Sequence, residues 1–398
     1  ARLVRGLLFE TPVDPTRRRW RNFRAAAALL WRQRTIGERM YRLIDLLTQS
    51  AYDYLSVWFE SDVIKSVLGY YACIGTFAGP RSPGTAYVIL HHLLGEHAGA
   101  GGWGFVRGGM GAITQAIAAS GRKHGMETLT GAAVAEVLVV GGRARGVRTA
   151  DGREFGARVV ASNADAGTLF RRLLKPGHLP AELLAEVDSF RTFSTAFKMN
   201  IAAESPPGYR AFDARTAGFA YPTYVHLAPG TDYLERAYDD AKYGWYSRQP
   251  FLTAVVPTIV DDSLAPAGKH VINAFGGHAP YALKGGNWAE EKPNLARAAL
   301  AVIDELAPGF SRQIIDLELL VPTDLERIVG LPQGHIFHGE LTADQLFWQR
   351  PVPHWADYRT PVRGLYQCGS STHPGGGVSG IPGHNAAREI LKDWKRLK

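Results

Sequence analysis

Several function classes are excluded by what this sequence lacks. Its 398 residues hold two cysteines, Cys73 and Cys368. That is too few, and too far apart, for the disulfide framework of a small secreted protein, so a reducing, cytoplasmic setting is expected. There is no stretch of eighteen or more uninterrupted apolar residues, and the opening ARLVRGLLFETPVDP has no long apolar core ahead of a small-residue cleavage site. Nothing therefore reads as a spanning helix or a secretory leader. No Ser-His-Asp set, P-loop or metal-ligand cluster stands out. Zinc spacing, RNA-recognition signatures and a helix-turn-helix pattern are missing too, so nucleic acid is not an expected partner. Internal repeats and low-complexity tracts are also absent.

What is present is a globular chain, 46% hydrophobic, long enough for two or three domains. Its positive charge is local. Residues 1–50 carry eleven arginines against four acids, a net of +7, while the whole chain carries +8. In RRRWRNFRAAAALLWRQRTIGERMYRLIDLLTQS, within residues 17–50, Trp20, Phe23, Ala27, Leu30 and Trp31 recur at helical spacing between arginines. Two readings stay open for this 17–48 helix: an apolar face packed on the protein with a solvated arginine face, or a peripheral contact with anionic membrane headgroups.

Periodicity predicts helices from about Arg17 to Gly69, punctuation from Gly75 to Gly84, a further helix at TAYVILHHLLG and one from about Gly111 to His124. Strands are expected near Met126–Thr130, Ala133–Val140, Arg143–Thr149 and Arg153–Ser162, with GGRARG and ADGRE as hairpin turns. After Asp165 come helical stretches near Gly167–Leu174 and Pro180–Ser189, strands at STAFKMNIAA, FLTAVVPT, KHVINAFGG and IDLELLVP, and a helix near Glu290–Leu306. The fold class is α+β / α/β.

Gly99, Gly101 and Gly104 match GxGxxG by letter. A dinucleotide fingerprint needs a strand before it and a helix directly after it, and neither is here, so the stretch reads as a turn. VRGGMGAITQAI carries more information, because Gly108, Gly109 and Gly111 open a helix whose first amides are unpaired. A tight turn before an amphipathic helix explains it equally well. The strongest ligand signal is LYQCGSSTHPGGGVSGIPGHNAA: a buried strand, a glycine run from Gly375 to Gly383 whose backbone can follow a ligand surface, and a helix beginning at Asn385 with small residues Ala386 and Ala387. A helix N-terminus there would stabilise an anionic locus such as the pyrimidine edge of a reduced flavin. His373 is a weak catalytic candidate; a hydrogen-bonding role is the alternative.

Seven stretches now taken together, YLSVWFESDVIKSVLG, GPRSPGTAYVILHHLLGE, GGMGAITQAIA, VVASNAD, DDSLAPAGKHVI, PTDLERIVGLPQGHIFHGELTADQLFWQRP and YRTPVRGLYQCGSSTHPGGGVSGIPGHNAA, resemble the phytoene dehydrogenase-like branch of the FAD-dependent amine oxidase and carotenoid desaturase superfamily. The likeness is nearest to the pyridine nucleotide-disulfide oxidoreductase domain-containing protein 2 group and runs nearly end to end in the family's order. The resemblance implies two interleaved domains: a Rossmann-like FAD-binding part (101–166 and 353–398) and a substrate domain with a mixed β-sheet backed by helices (1–100 and 167–352). It places FAD against Gly108, Gly109, Met110, Val134, Asn163, Gly369, Gly377, Val378, Gly380, Ile381, Pro382, Gly383 and Asn385. It implies hydride transfer from a saturated or isoprenoid-like apolar substrate to flavin, or a flavin-assisted isomerisation, with no metal.

The family's opening βαβ unit, with its GxGxxG, should precede Ala1. Without it the pyrophosphate loses its helix N-terminus, and the chain alone is expected to bind FAD weakly or not at all. In order of preference, the chain is then a fragment of a longer enzyme, a subunit whose partner (or second copy, in a homo-oligomer) supplies the unit, or a non-catalytic module that binds an apolar ligand or a protein.

Overall fold

The computed structural model describes residues 6–16, 20–32, 37, 39–93 and 103–397. Gly99 and Gly101 of the letter match fall outside the described residues, as do 17–19, 33–36 and 38 of the arginine-rich stretch. The architecture is α+β. Ten strands are present among the described residues: β1 (Val134–Val140), β2 (Arg143–Thr149), β3 (Glu154–Gly156), β4 (Val160–Ser162), β5 (Phe197–Ala203), β6 (Tyr224–Leu227), β7 (Phe251–Val255), β8 (His270–Gly277), β9 (Ile314–Leu320) and β10 (Leu365–Gln367).

Two compact units are each assembled from separate stretches of chain. One comprises Ala1–Leu47, Leu129–Thr192 and His335–Lys398, the other Thr48–Thr128 and Phe193–Gly334. Two sets of contacts hold distant stretches together within these units. Asn385 donates to the Leu8 carbonyl (2.9 Å) and Thr11 to Glu389 (2.6 Å), which fastens the start of the chain to its C-terminal helix. The Gly108 amide donates to Asp261 (2.6 Å), which fastens the loop before helix Gly111–Lys123 to the second unit.

In the first unit β1, β2 and β3 form an antiparallel ribbon. Val140 pairs with Arg143 across a two-residue turn whose Gly141 and Gly142 have φ of 57° and 71°. Both values belong to the left-handed region that this tight hairpin turn requires, which is why the sequence doubles glycine there. The stretch predicted as one strand at Arg153–Ser162 is divided, because β4 leaves the ribbon and pairs parallel with β10. Val137, Leu169, Phe170, Leu183, Val187 and Leu365 close a core beneath the two sheets. Met126–Thr130 is not a strand. The Met126 amide turns back to the Gly121 carbonyl (3.1 Å) and caps the preceding helix instead.

The second unit is built on a five-stranded sheet of order β6-β7-β8-β5-β9. This sheet was expected to be mixed, yet every pairing in it is antiparallel. The central strand β5 alternates strictly, and the register row of Met199, Ala274, Ala254 and Leu319 packs in one core with Leu295, Ala299 and Ile303 of the helix Trp288–Leu306. One-sided burial with a half-covered opposite face is the ordinary consequence of period-2 patterning in an antiparallel sheet. Across the strands, the opposite face carries two rows in register: Leu320, Lys198, Phe275, Thr253 and His226, then Glu318, Asn200, Asn273, Val255 and Tyr224.

His278 lies in this unit with no exposed surface, bonded through Nδ1 to Thr195 Oγ1 (2.7 Å) and ringed by Phe251 and Tyr238. Burial pushes its pKa down to about 3, and burial likewise lowers His92 and His226 to about 4. A histidine whose folded pKa lies below its unfolded value of about 6.5 binds more protons unfolded than folded. The stabilisation is complete above that value and is lost as pH falls toward the folded pKa. The urea midpoint should therefore drop between pH 6.5 and 4.5, before most carboxylates titrate, at up to ~1.4 kcal/mol per pH unit for each such histidine. A flat midpoint across that window would show these rings to be solvated.

Candidate functional site

The parallel pair β4 and β10 positions the loops that follow both strands. Leu365, Tyr366 and Gln367 are all buried, and they pair with Val160, Ala161 and Ser162. The Cys368 amide continues the pairing onto Ser162 O (2.8 Å). One residue further the two loops touch: a Cβ on Gly369 would stand 2.4 Å from the Asn163 carbonyl oxygen, so only glycine fits. Asn163 and Gly369, far apart in sequence, thus meet beyond the carboxyl ends of parallel strands, the usual place for a ligand in such sheets.

Beyond Gly369 the glycine run divides into two kinds. Gly375 and Gly376 are buried, and a Cβ on Gly376 would lie 2.2 Å from the Phe337 ring. These two serve packing. Gly377, Val378 and Gly380 are exposed, and Gly383 is exposed with nothing within 4 Å of its Cβ position. Gly380, at φ 68°, caps the helix Ile381–Asp393 without a side chain of its own, and Ser379 Oγ accepts from the Ile381 amide (3.3 Å). Ile381, Pro382 and Asn385 form the buried side of that first turn. The surface available to a ligand is therefore Gly377–Gly380 with Gly383, shorter than the Gly375–Gly383 run read from the sequence.

A network of buried polar groups holds this loop. Tyr358 has no exposed surface; its hydroxyl donates to His373 O (2.8 Å) and accepts from Asn385 Nδ2 (2.9 Å). Facing a carbonyl, His373 Nε2 donates to Leu7 O (3.1 Å), and the ring is 2% exposed. His373, the catalytic candidate, is thus engaged in fastening the loop to the start of the chain. Four buried side-chain atoms around the loop have no hydrogen-bond partner: Gln367 Nε2 and Oε1, Ser371 Oγ and Asn385 Oδ1. Buried polar atoms without partners are costly, and a ligand with polar groups of its own would satisfy them.

Arg350 was missed by sequence reasoning. Fully buried, its guanidinium donates to the carbonyls of Phe337 (2.9 Å), Gly339 (3.1 Å), Glu340 (3.0 Å), Gln345 (3.3 Å) and Ser370 (2.9 Å). No spacing rule announces such a residue; the only signal is an arginine inside an otherwise aromatic and apolar stretch, FWQRPV. A second arginine, Arg359, is paired with Asp357 (3.2 Å), Glu389 (2.9 Å) and Asp393 (2.6 Å). Burial alone would raise the Glu389 carboxyl, but Lys392, Thr11 and Arg359 hold it down at about 2.

The other expected cofactor residues belong to other elements. Val134 begins β1 and is exposed at the edge of the ribbon. Gly108, Gly109 and Met110 belong to the second unit. There the two glycines take φ of 83° and 80°, and the Gly108 amide, expected to await a ligand, is used by Asp261. The Ser263 hydroxyl and that amide hold the Asp261 carboxyl below its ordinary value. In the same unit the Tyr71 hydroxyl is hydrogen-bonded to His226 Nε2 (3.1 Å) and Thr253 Oγ1 to His226 Nδ1 (2.9 Å). Tyr70 and Tyr224 flank that ring at 4.5 and 5.1 Å. Among the described residues no group of histidine, cysteine or acidic side chains could hold a metal ion, and no helix is long and apolar enough to cross a membrane.

Residues 70–391 match a family model described as flavin containing amine oxidoreductase. The chain is 40% identical over 379 residues to a rat protein named pyridine nucleotide-disulfide oxidoreductase domain-containing protein 2, and spans 93% of itself and 65% of that relative. It is 27% identical over 343 residues to a lycopene-forming phytoene desaturase of Pseudescherichia vulneris, covering 84% of this chain and 64% of the other. Among solved structures, an oxidoreductase from Methanosarcina mazei matches with a TM-score of 0.56 at 16% identity, over 92% of this chain and 71% of that one. That likeness concerns the fold alone.

Replacing Arg350 by Met would leave five buried carbonyls without their donor and should lower the stability of the first unit by ~3–5 kcal/mol, the scale for breaking a buried charged network. Arg350→Lys should recover only part of the loss, since an ammonium has three donors and no planar fork. Full stability of Arg350→Met in urea unfolding would contradict this account.

Proposed function

Since this chain belongs to the flavin containing amine oxidoreductase family, we propose that it forms the flavin-ring and substrate-binding portion of an FAD-dependent oxidoreductase acting on an apolar, isoprenoid-like substrate. The observation that carries the reading is the exposed glycine surface Gly377–Gly380 with Gly383, set beyond the ends of parallel strands and backed by buried polar atoms lacking partners. Bound FAD would supply the hydride acceptor. Asn163, Gly369, Gly377, Val378, Gly380, Gly383 and Asn385 are the residues that would hold it in the first unit.

The protein's own groups then have positioning roles. Glycines without side chains let a planar ring approach the main chain. At the start of helix Ile381–Asp393 the Ile381 amide is used by Ser379 Oγ and Pro382 has no N–H, so the Gly383 amide and the helix dipole are what favour negative charge there. Arg350 keeps Ser370 and the loop in register, and Tyr358 and Asn385 orient its far end. On the substrate side, the open face of the sheet offers Tyr70, Tyr71, Tyr224 and a neutral His226, groups suited to an apolar molecule. Relatives named phytoene desaturase support the isoprenoid class.

The membrane reading of the arginine-rich helix belongs to the same proposal. On helix Trp20–Arg32 the residues Trp20, Phe23 and Trp31 share one face and are about two-thirds exposed or more, at 72%, 65% and 68%. Aromatic side chains on one face with arginines around them match a headgroup boundary, and an apolar substrate would reach the enzyme from there.

Expressed with every residue its gene encodes, the protein should show visible flavin absorbance that bleaches anaerobically with an isoprenoid hydrocarbon, and Gly383→Val should lower flavin affinity at least about tenfold. Absence of flavin in that preparation defeats the proposal. Vesicles containing anionic phospholipid should sediment the protein at low salt, and replacing Trp20, Phe23 and Trp31 together by Ser should release it. Equal sedimentation of wild type and variant would assign the helix to packing.

A further inference from the structure

Within the first unit, backbone pairing gathers arginines from three segments at one corner. Arg143 opens β2 and forms a parallel bridge with Arg363; the Ala144 amide bonds to Arg363 O and the Arg363 amide to Gly142 O, both at 2.9 Å. Arg145 lies two residues along β2, at a bulge where the β1 pairing passes from Ala144 to Gly146, and is exposed next to buried Ala144. The Ala157 amide bonds to Arg145 O (2.8 Å), and Gly364 packs against Arg158 O, which bring Arg158 to the same corner. Arg396 completes the set: Arg363 donates to its carbonyl, and Arg143 donates to the carbonyl of Leu397.

Capping the end of the C-terminal helix explains those two bonds and no more. It accounts for one N–H of Arg143 and one of Arg363, whereas Arg143 Nε is buried with no partner. Arg158 stacks over Trp394 at 4.8 Å. None of the five guanidiniums forms an ion pair with a described residue. The acids nearest in sequence are engaged elsewhere: Glu136 and Glu154 by Arg148, Asp151 by Arg153, Asp357 and Asp393 by Arg359. Burial, and then Arg145, Arg363 and Arg158, pull the Arg143 guanidinium below its ordinary pKa. Like charges placed opposite one another across strands are destabilising, so the corner carries a cost that a bound anion would remove. Next to it is a cavity of about 340 Å³, whose wall includes Arg363, Arg396, Gly364 and Leu397 together with Asp357, Arg359 and Asp393, the two carboxylates being paired with Arg359. That volume lies within the range of small-molecule sites.

We propose that this corner, formed by Arg143, Arg145, Arg158, Arg363 and Arg396, is a binding site for a multiply charged phosphate group. Guanidinium is the side chain best matched to phosphate oxygens, through paired N–H donors, and five cations in one place call for more than one negative charge. The site is separate from the glycine loop assigned to flavin and does not depend on that assignment.

The test uses the whole chain with two ligands at low salt: inorganic pyrophosphate by calorimetric titration, and phosphatidylglycerol-containing vesicles by sedimentation. The main variant is Arg145→Glu with Arg158→Glu, because both residues are exposed and neither side chain donates a hydrogen bond to the protein. Circular dichroism and the urea midpoint report its folding. Pyrophosphate binding that weakens at least tenfold in the variant identifies a soluble phosphate ligand. Vesicle binding alone, lost in the variant, identifies a phospholipid headgroup. If wild type binds neither ligand, or a folded variant binds both as wild type does, the proposal is overturned.

Discussion

The glycine loop depends on a buried cation held by main-chain carbonyls. Taking a guanidinium out of water is expensive unless every donor is used, and Arg350 meets that condition with main-chain carbonyls on two sides: the 337–345 loop and Ser370. This solution constrains the neighbouring sequence. The carbonyls converge only if the chain comes very close, so Gly339 is held at φ 142° against the Phe190 ring, and Gly375 and Gly376 lie against Leu341 and Phe337. Phe190 in turn lies 5.5 Å from the guanidinium. Part of a glycine run that looks like a ligand cradle therefore exists to let a cation be surrounded, and the remainder stays free to face outward.

Two kinds of buried polar group then behave differently. Arg350 and Glu389 remain charged because each is surrounded by partners, Glu389 by Arg359, Lys392 and Thr11. His278 and His335 have no such partners, and their surroundings favour the neutral ring, His335 being lowered to about 3 by burial and then by Arg350 and His338. The first kind fixes geometry at any ordinary pH. The second adds a pH dependence with no catalytic meaning, which matters when an activity profile is read: an acid limb can report unfolding rather than a catalytic base.

Much of the fold was legible in the sequence, because it rests on local patterns. Alternation marked β1, β2, β5, β7, β8 and β9, and the doubled glycine at 141–142 marked the hairpin turn. What failed needed information from elsewhere in the chain. METLT alternates like a strand but has no strand partner among the described residues, and Met126 caps a helix instead. The short AYPTYVHL segment contains β6, which pairs with β7. At the site, the glycine run from Gly375 to Gly383 was visible in the sequence and Gly369 was named through the family resemblance, but the contact of Gly369 with Asn163 and the buried ring of carbonyls around Arg350 are non-local. The Gly108 amide shows the opposite error, since a motif that looks open to a ligand is closed by Asp261, more than a hundred residues away.

Charge along the chain follows the same distinction between local and non-local cause. The excess of arginine in the first fifty residues is visible in the sequence, and it surrounds aromatic side chains that remain exposed on their helix. The arginines at 143, 145, 158, 363 and 396 do not stand out in composition, because each sits alone among ordinary neighbours. Strand pairing alone puts them together. A cluster made by pairing costs electrostatic energy that a sequence could remove with a single acidic substitution at an exposed position such as 145 or 158. The sequence places arginine at both, and this is the physical reason for reading the corner as a site rather than as a solvated face.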